Sequence, residues 1–172
     1  MPKPEKDRIS VAMCTYNGER FLAQQLVSIA QQSRPPDELV VCDDGSTDRT
    51  VAMIREFAVS VRYPVRVFEN EHNLGVAANF ERAIRLCEGN LIALADQDDI
   101  WYPIRLERSE QELTAHPEAG LIFPMRTSSM TRTSRPVQRF GSGSLSRESA
   151  SRICLPDDTW FWQSTGLSPE LR

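Results

Sequence analysis

Short apolar runs alternate with longer amphipathic stretches along this chain. The run Arg8-Ile9-Ser10-Val11-Ala12-Met13-Cys14 has the length and character of a buried strand. Asn17 then stands where a helix N-cap belongs, and Leu22, Leu26 and Ile29 recur four and three residues apart, on one helical face. Pro35-Pro36 stops that helix, and 38–42 is a second strand. Ser46 or Thr47 is expected to cap a second helix with Val51, Ile54 and Phe57/Ala58 inward. A third strand at 65–68 mixes polar residues and follows Pro64, so it is predicted at a sheet edge. After the loop His72-Asn73-Leu74-Gly75, where Gly75 supplies a left-handed residue, Phe80, Ala83, Ile84 and Cys87 line a third helix. A fourth strand covers 91–95, a helix starts at Pro103 and carries Leu106 and Leu113, and a last strand is expected at 120–123.

This order predicts an α/β fold, a mostly parallel sheet flanked by helices on both faces. Right-handed crossovers bring the ends of the first, second and fourth strands to one edge. That edge carries Thr15-Tyr16-Asn17, Asp43-Asp44 and Asp96-Gln97-Asp98-Asp99. Ligands of open α/β sheets bind beyond the carboxyl ends of strands.

Each cluster has a plain structural explanation to set beside a functional one. Thr15-Tyr16-Asn17 is either a capped turn or a nucleobase pocket in which Tyr16 stacks and Thr15 lends a hydroxyl. Asp43-Asp44-Gly45-Ser46 is a strand end and cap, yet two adjacent carboxylates repel unless donors or a cation compensate. Asp96 to Asp99 resists a structural explanation most, with three carboxylates in four residues after an apolar strand. A hard divalent cation, Mg²⁺ or Mn²⁺, would offset that repulsion, with phosphate and water as its other ligands. Trp101 and Tyr102 are placed to line the adjoining pocket, whereas His72 is expected in solvent.

Composition narrows the classes. The 172 residues suit one domain, and a net charge of −4 argues against nucleic acid as the main partner. No apolar stretch is long enough to span a bilayer, and the first residues lack the apolar core of a secretory signal. A cytoplasmic protein is expected, with peripheral association at the inner membrane face left open. Cys14, Cys42, Cys87 and Cys154 form no C-x-x-C pair and are read as buried, reduced thiols.

Four segments, ISVAMCTYNGERFL, DELVVCDDGSTDRT, NEHNLGVAANFERAI and GNLIALADQDDIWYPIRLE, together resemble family 2 glycosyltransferases. The flavour is that of the bacterial rhamnosyltransferase-like group of cell-surface polysaccharide synthesis, and the resemblance covers residues 9 to about 123. It implies a GT-A fold, a nucleotide-diphosphate sugar donor (UDP- or dTDP-linked) and a saccharide or lipid-linked acceptor. It implies that Thr15, Tyr16 and Asp44 contact the base, with Asn17 and Asp43 nearby, and that Asp96 and Gln97 neighbour the ribose and sugar. Asp98 matches the metal position of the D-x-D motif, with Asp96 beside it. The implied reaction transfers the sugar to a hydroxyl with inversion, using a metal as Lewis acid and a carboxylate base. No residue matches that base. A nucleotidyltransferase is disfavoured because no Gly-rich, basic phosphate loop follows the first strand.

Beyond Phe123 the character changes. Residues 124–172 hold ten Ser against six in 1–123, and net charge moves from −7 to +3. The expected organisation is a nucleotide-sugar-binding part at 1–123 and a divergent Ser/Arg-rich tail at 124–172, flexible or a frameshift product. The alternative function is then a non-catalytic nucleotide-sugar-binding remnant, lacking acceptor site and base. Asp157-Asp158-Thr159-Trp160 has the look of an acidic-aromatic motif, yet nothing upstream supports aligning it with the base. Codons compatible with 124–140, read one base earlier, permit an acidic stretch of the kind the family places there. Sequencing the gene across this stretch is expected to show those codons; any that forbid the acidic string end the frameshift reading.

Overall fold

A computed structural model describes residues 7–116 in full and the backbone of two further strands at 121–122 and 152–154. The elements are β1 (Ile9–Thr15), α1 (Glu19–Ala30), β2 (Glu38–Asp43), α2 (Thr50–Ala58), β3 (Val65–Glu69), α3 (Val76–Leu86), β4 (Leu91–Ala95), α4 (Arg105–Ala115), β5 (Leu121–Ile122) and β6 (Arg152–Cys154). The sheet order is β3-β2-β1-β4-β6-β5 and every pairing is parallel. β1 therefore sits between β2 and β4, as the crossover argument requires, and β3 lies at an edge.

One expectation is corrected. No strand was anticipated after Phe123, yet Arg152-Ile153-Cys154 pairs with β4 on one side and β5 on the other. Three residues with one β-branched apolar side chain are too short to show a period of two; backbone pairing decides their place. The rest of 124–172, with the frame question and Asp157-Asp158, lies outside the described residues.

Every residue of β1, β2 and β4 is buried, because helices cover both faces. Ile9, Val11 and Met13 alternate onto one face, where Leu22, Leu26 and Ile29 of α1, Ile54 of α2 and Leu106 and Leu113 of α4 pack. Ala12 and Cys14 point to the other, against Phe80 and Ala83 of α3. Cys14 and Cys42 are buried free thiols, Cys87 is a partly buried one, and the Cys154 side chain lies outside the described residues. No helix among the described residues is long and apolar enough to cross a membrane.

The opposite end of the sheet is held by one buried carboxylate. Glu38 Oε1 accepts from Ser10 Oγ and from the Glu88 amide, both at 2.6 Å, and Oε2 accepts from Arg66 Nη2 at 2.7 Å. Ser10 Oγ in turn accepts from the Gly89 amide at 2.8 Å. A Cβ at Gly89 would lie 2.5 Å from the Arg8 carbonyl, so the turn after α3 can press this close only with glycine. Burial opposes the charged form of Glu38, but the bonds from Ser10, the Glu88 amide and Arg66 outweigh it and hold its pKa below the usual carboxylate range. With the folded pKa depressed, the stabilisation is present above the unfolded value of about 4.3 and is lost as pH falls through the folded value. Glu38→Gln should cost about 2 kcal/mol at pH 7 and show a flatter acid limb than the parent, measured by denaturant unfolding between pH 7 and pH 3.

Candidate functional site

All four helix-connected strands end on the same edge, so the loops after β1, β2, β3 and β4 emerge side by side. Two backbone bonds extend the ladder past the strands: the Asp44 amide donates to the Thr15 carbonyl and the Asn70 amide to the Asp43 carbonyl, each at 2.8 Å. Between these loops lies a shallow cleft of about 130 Å³, lined by Cys14, Thr15, Tyr16, Asp44, Val76, Asn79, Asp96, Gln97 and Asp98. Thr15, Tyr16, Asp44, Asp96, Gln97 and Asp98 thus meet at one place. Asn17 and Asp43 do not line it.

Asp43 is fully buried and faces inward. Its Oδ1 accepts from the hydroxyls of Thr15 at 2.7 Å and Ser46 at 2.6 Å, and its Oδ2 accepts from the Ser46 amide at 2.8 Å. The Thr15 hydroxyl expected at a nucleobase therefore spends its proton on Asp43. Asn17 is not a cap: it adopts φ 47°, a left-handed conformation that Asn tolerates. Its amide donates to Ser46 Oγ at 2.8 Å, and its Oδ1 accepts from the Thr47 amide at 2.9 Å, lacing the β1 loop to the β2 loop.

Ser46 and Thr47 are not caps either. The helix starts are satisfied by exchange: Asp48 Oδ2 accepts from the Glu19 amide at 3.1 Å, and Glu19 Oε2 accepts from the Arg49 amide at 3.2 Å. Asp48 Oδ1 also accepts from the Thr50 amide at 2.9 Å. Slight burial works against the Asp48 carboxylate, but these bonds prevail and lower its pKa.

Asp44 closes the third loop. Its Oδ1 accepts from Asn70 Nδ2 at 2.6 Å and the Leu74 amide at 2.8 Å, and its Oδ2 accepts from the Gly75 amide at 2.9 Å. Gly75 holds φ 80°, a backbone conformation open mainly to glycine. Asn70 continues to Asn79 Oδ1 at 2.9 Å, and Asn79 Nδ2 donates to the Cys42 carbonyl at 2.8 Å. Arg82 donates to the Asn70 side-chain oxygen. Sequence reasoning passed over Asn70 and Asn79; the one available signal was a polar Asn79 beside Phe80 on the inner face of α3.

Tyr16 is 50% exposed, and its ring is offered to solvent at the cleft. Asp98 is exposed and Asp96 half-buried. Burial, then the neighbouring Cys42 and Asp96, push the Cys14 thiol well above its ordinary range, so it stays protonated and is no nucleophile. Among the described residues no Lys or Arg lines the cleft, and no three His, Cys, Asp or Glu side chains form a cation cage. Two carboxylates and open space fit a hard cation that draws most of its ligands from phosphate and water, and do not fit a closed protein cage.

A family model described as "Glycosyl transferase family 2" matches residues 10–166. The chain belongs to that family. Its motifs alone carried the resemblance only to about residue 123. It is 35% identical over 101 residues to the dTDP-rhamnosyl transferase RfbG of Shigella flexneri, which covers 56% of this chain and 35% of that protein. Among solved structures it resembles the mannosyltransferase PcManGT of Pyrobaculum calidifontis in complex with GDP-Man and Mn²⁺, with a TM-score of 0.65 and 27% identity over 72% of this chain and 37% of that one. It also resembles residues 1–349 of S. aureus TarS in complex with UDP, with a TM-score of 0.62 and 25% identity over 73% of this chain and 38% of that one. The fold is GT-A. The chain spans well under half the length of these proteins.

Asp44→Ala leaves the Leu74 amide without its acceptor and the Gly75 amide with Asn73 Oδ1 alone, at 3.1 Å. It is expected to cost about 3 kcal/mol of stability and to speed amide exchange at those two residues while β1 amides stay protected, read by hydrogen–deuterium exchange.

Proposed function

We propose that this chain supplies the donor-binding part of a glycosyltransferase that moves a sugar from a nucleotide diphosphate to a hydroxyl acceptor in cell-surface polysaccharide synthesis. The observation that carries this reading is the convergence of an exposed aromatic face and two cleft carboxylates on one edge of a GT-A sheet. Tyr16 offers its ring to the nucleobase. Asp44 uses three of about four acceptor positions on the loop after β3, leaving one for a base N–H. That single position suits the one imino N–H of uracil or thymine, in line with a UDP- or dTDP-sugar.

A cleft of about 130 Å³ is smaller than the pockets that enclose whole ligands. The base sits in it, and the diphosphate and sugar extend along the lip that bears Asp96 and Asp98. Among the described residues no basic side chain lines that lip, a setting that suits a cation bridging to the phosphates, and Asp98 with Asp96 beside it would hold Mg²⁺ or Mn²⁺. When bound, the ion offsets the charge that develops on the departing diphosphate. Inversion at the anomeric carbon requires a carboxylate on the acceptor side to take the hydroxyl proton. No residue is assigned to that role. The acceptor is a saccharide or a lipid-linked saccharide, and the place of action is the cytoplasm or the inner face of the membrane.

Titration with UDP- and dTDP-sugars, with and without Mg²⁺ or Mn²⁺, should show metal-dependent donor binding, followed by hydrolysis or transfer. Asp98→Ala should abolish the metal-dependent part of that affinity; an unchanged affinity would remove Asp98 from its role. Donor binding with no turnover would instead favour a non-catalytic nucleotide-sugar-binding protein.

A further inference from the structure

We infer that Gln97 is a positioning residue whose amide locks the Tyr16 backbone so that the ring stands over the cleft. The inference rests on Tyr16 being the nucleobase platform. Gln97 Oε1 accepts from the Tyr16 amide at 2.9 Å, and Gln97 Nε2 donates to the Tyr16 carbonyl at 3.2 Å. Both ends of the side-chain amide thus close on one residue. The orientation of that amide is forced, since a backbone N–H only donates and a carbonyl only accepts.

The segment 15–18 is held residue by residue. Thr15 is bonded to Asp43, Asn17 to Ser46 and Thr47, and the Gly18 amide to Thr50 Oγ1 at 2.8 Å. All of those anchors come from β2, its loop and the start of α2. Gln97 reaches the segment from the β4 side. The Tyr16 phenol makes no hydrogen bond among the described residues, so the backbone is what sets the ring.

Gly18 supplies an independent sign of the same contact. Its φ of −95° and ψ of 5° are open to any L-residue, so conformation does not require glycine there. Space does so while Gln97 stays in place: a Cβ would lie 2.3 Å from Gln97 Oε1 and 2.7 Å from its Cδ, and the flexible end of Gln97 would have to move away. The glycine makes room for the clamp.

The clamp ties the base platform to the loop bearing Asp96 and Asp98. A donor with its base on Tyr16 therefore presents its diphosphate to those carboxylates at a set distance. The lost bonds should weaken nucleotide binding about tenfold in Gln97→Ala.

The test is a double-mutant cycle read by calorimetric titration with UDP and with dTDP in the presence of Mg²⁺. Gln97→Ala should weaken binding in the parent and have little further effect in a Tyr16→Ala background. Gly18→Ala should weaken binding in the parent and not in the Gln97→Ala background, where its clash is relieved. Gln97→Glu, which keeps the acceptor for the Tyr16 amide, should retain part of the affinity and guards against a folding artefact. Additive losses in the Tyr16→Ala background would overturn the inference by showing that Gln97 touches the ligand itself. Parent-like affinity in Gln97→Ala would overturn it too. Failure of the parent to bind either nucleotide would instead sink the donor-site reading on which it rests.

Discussion

A parallel sheet covered on both faces forces a crossover after each strand, and that constraint builds the cleft. β1, β2 and β4 are buried along their whole length, so their neighbours can expose chemistry only beyond the strand ends. Parallel pairing then puts those ends on one side. Tyr16, Asp44 and Asp96 come from three distant stretches of chain and still share one wall.

The loops on that edge need acceptors for their own amides, and carboxylates supply them. An ionised carboxylate offers about four acceptor positions, enough to close a turn and tie it to its neighbour. Asp43 receives three donors, Asp44 three, and Asp48 bonds to both Thr50 and Glu19. The acidic character of the second loop is therefore largely structural, and donors rather than a cation offset the repulsion between its charges. Asp96 and Asp98 are the carboxylates proposed to meet a metal, and among the described residues no Lys or Arg lines the cleft beside them.

The strands were legible because apolar runs bounded by turns have few other uses, and β3 was legible as an edge from Pro64 and its mixed polarity. The helix caps were not. Asn17 stands where a cap belongs, yet its left-handed backbone and its partners on the β2 loop make it a lace between loops. Asp48 and Glu19 meet the helix starts instead, each accepting an amide from the other's segment and Asp48 that of Thr50 besides, a reciprocity that no local window contains. β6 was invisible for a different reason: three residues carry no period, and their strand exists only because β4 and β5 flank them.

Sequence alone determined the alternation of strands and helices, and with it the gathering of Thr15, Asp43-Asp44 and Asp96 at one edge, because burial and crossover handedness leave little freedom. Tertiary structure decided which of those side chains face the cleft and which turn away. Asp44 finds its donors 26 to 31 residues along the chain, and Gln97 finds Tyr16 across 81. Orientation is set by hydrogen-bond partners brought close by folding, and their distance in sequence hides them from any local pattern.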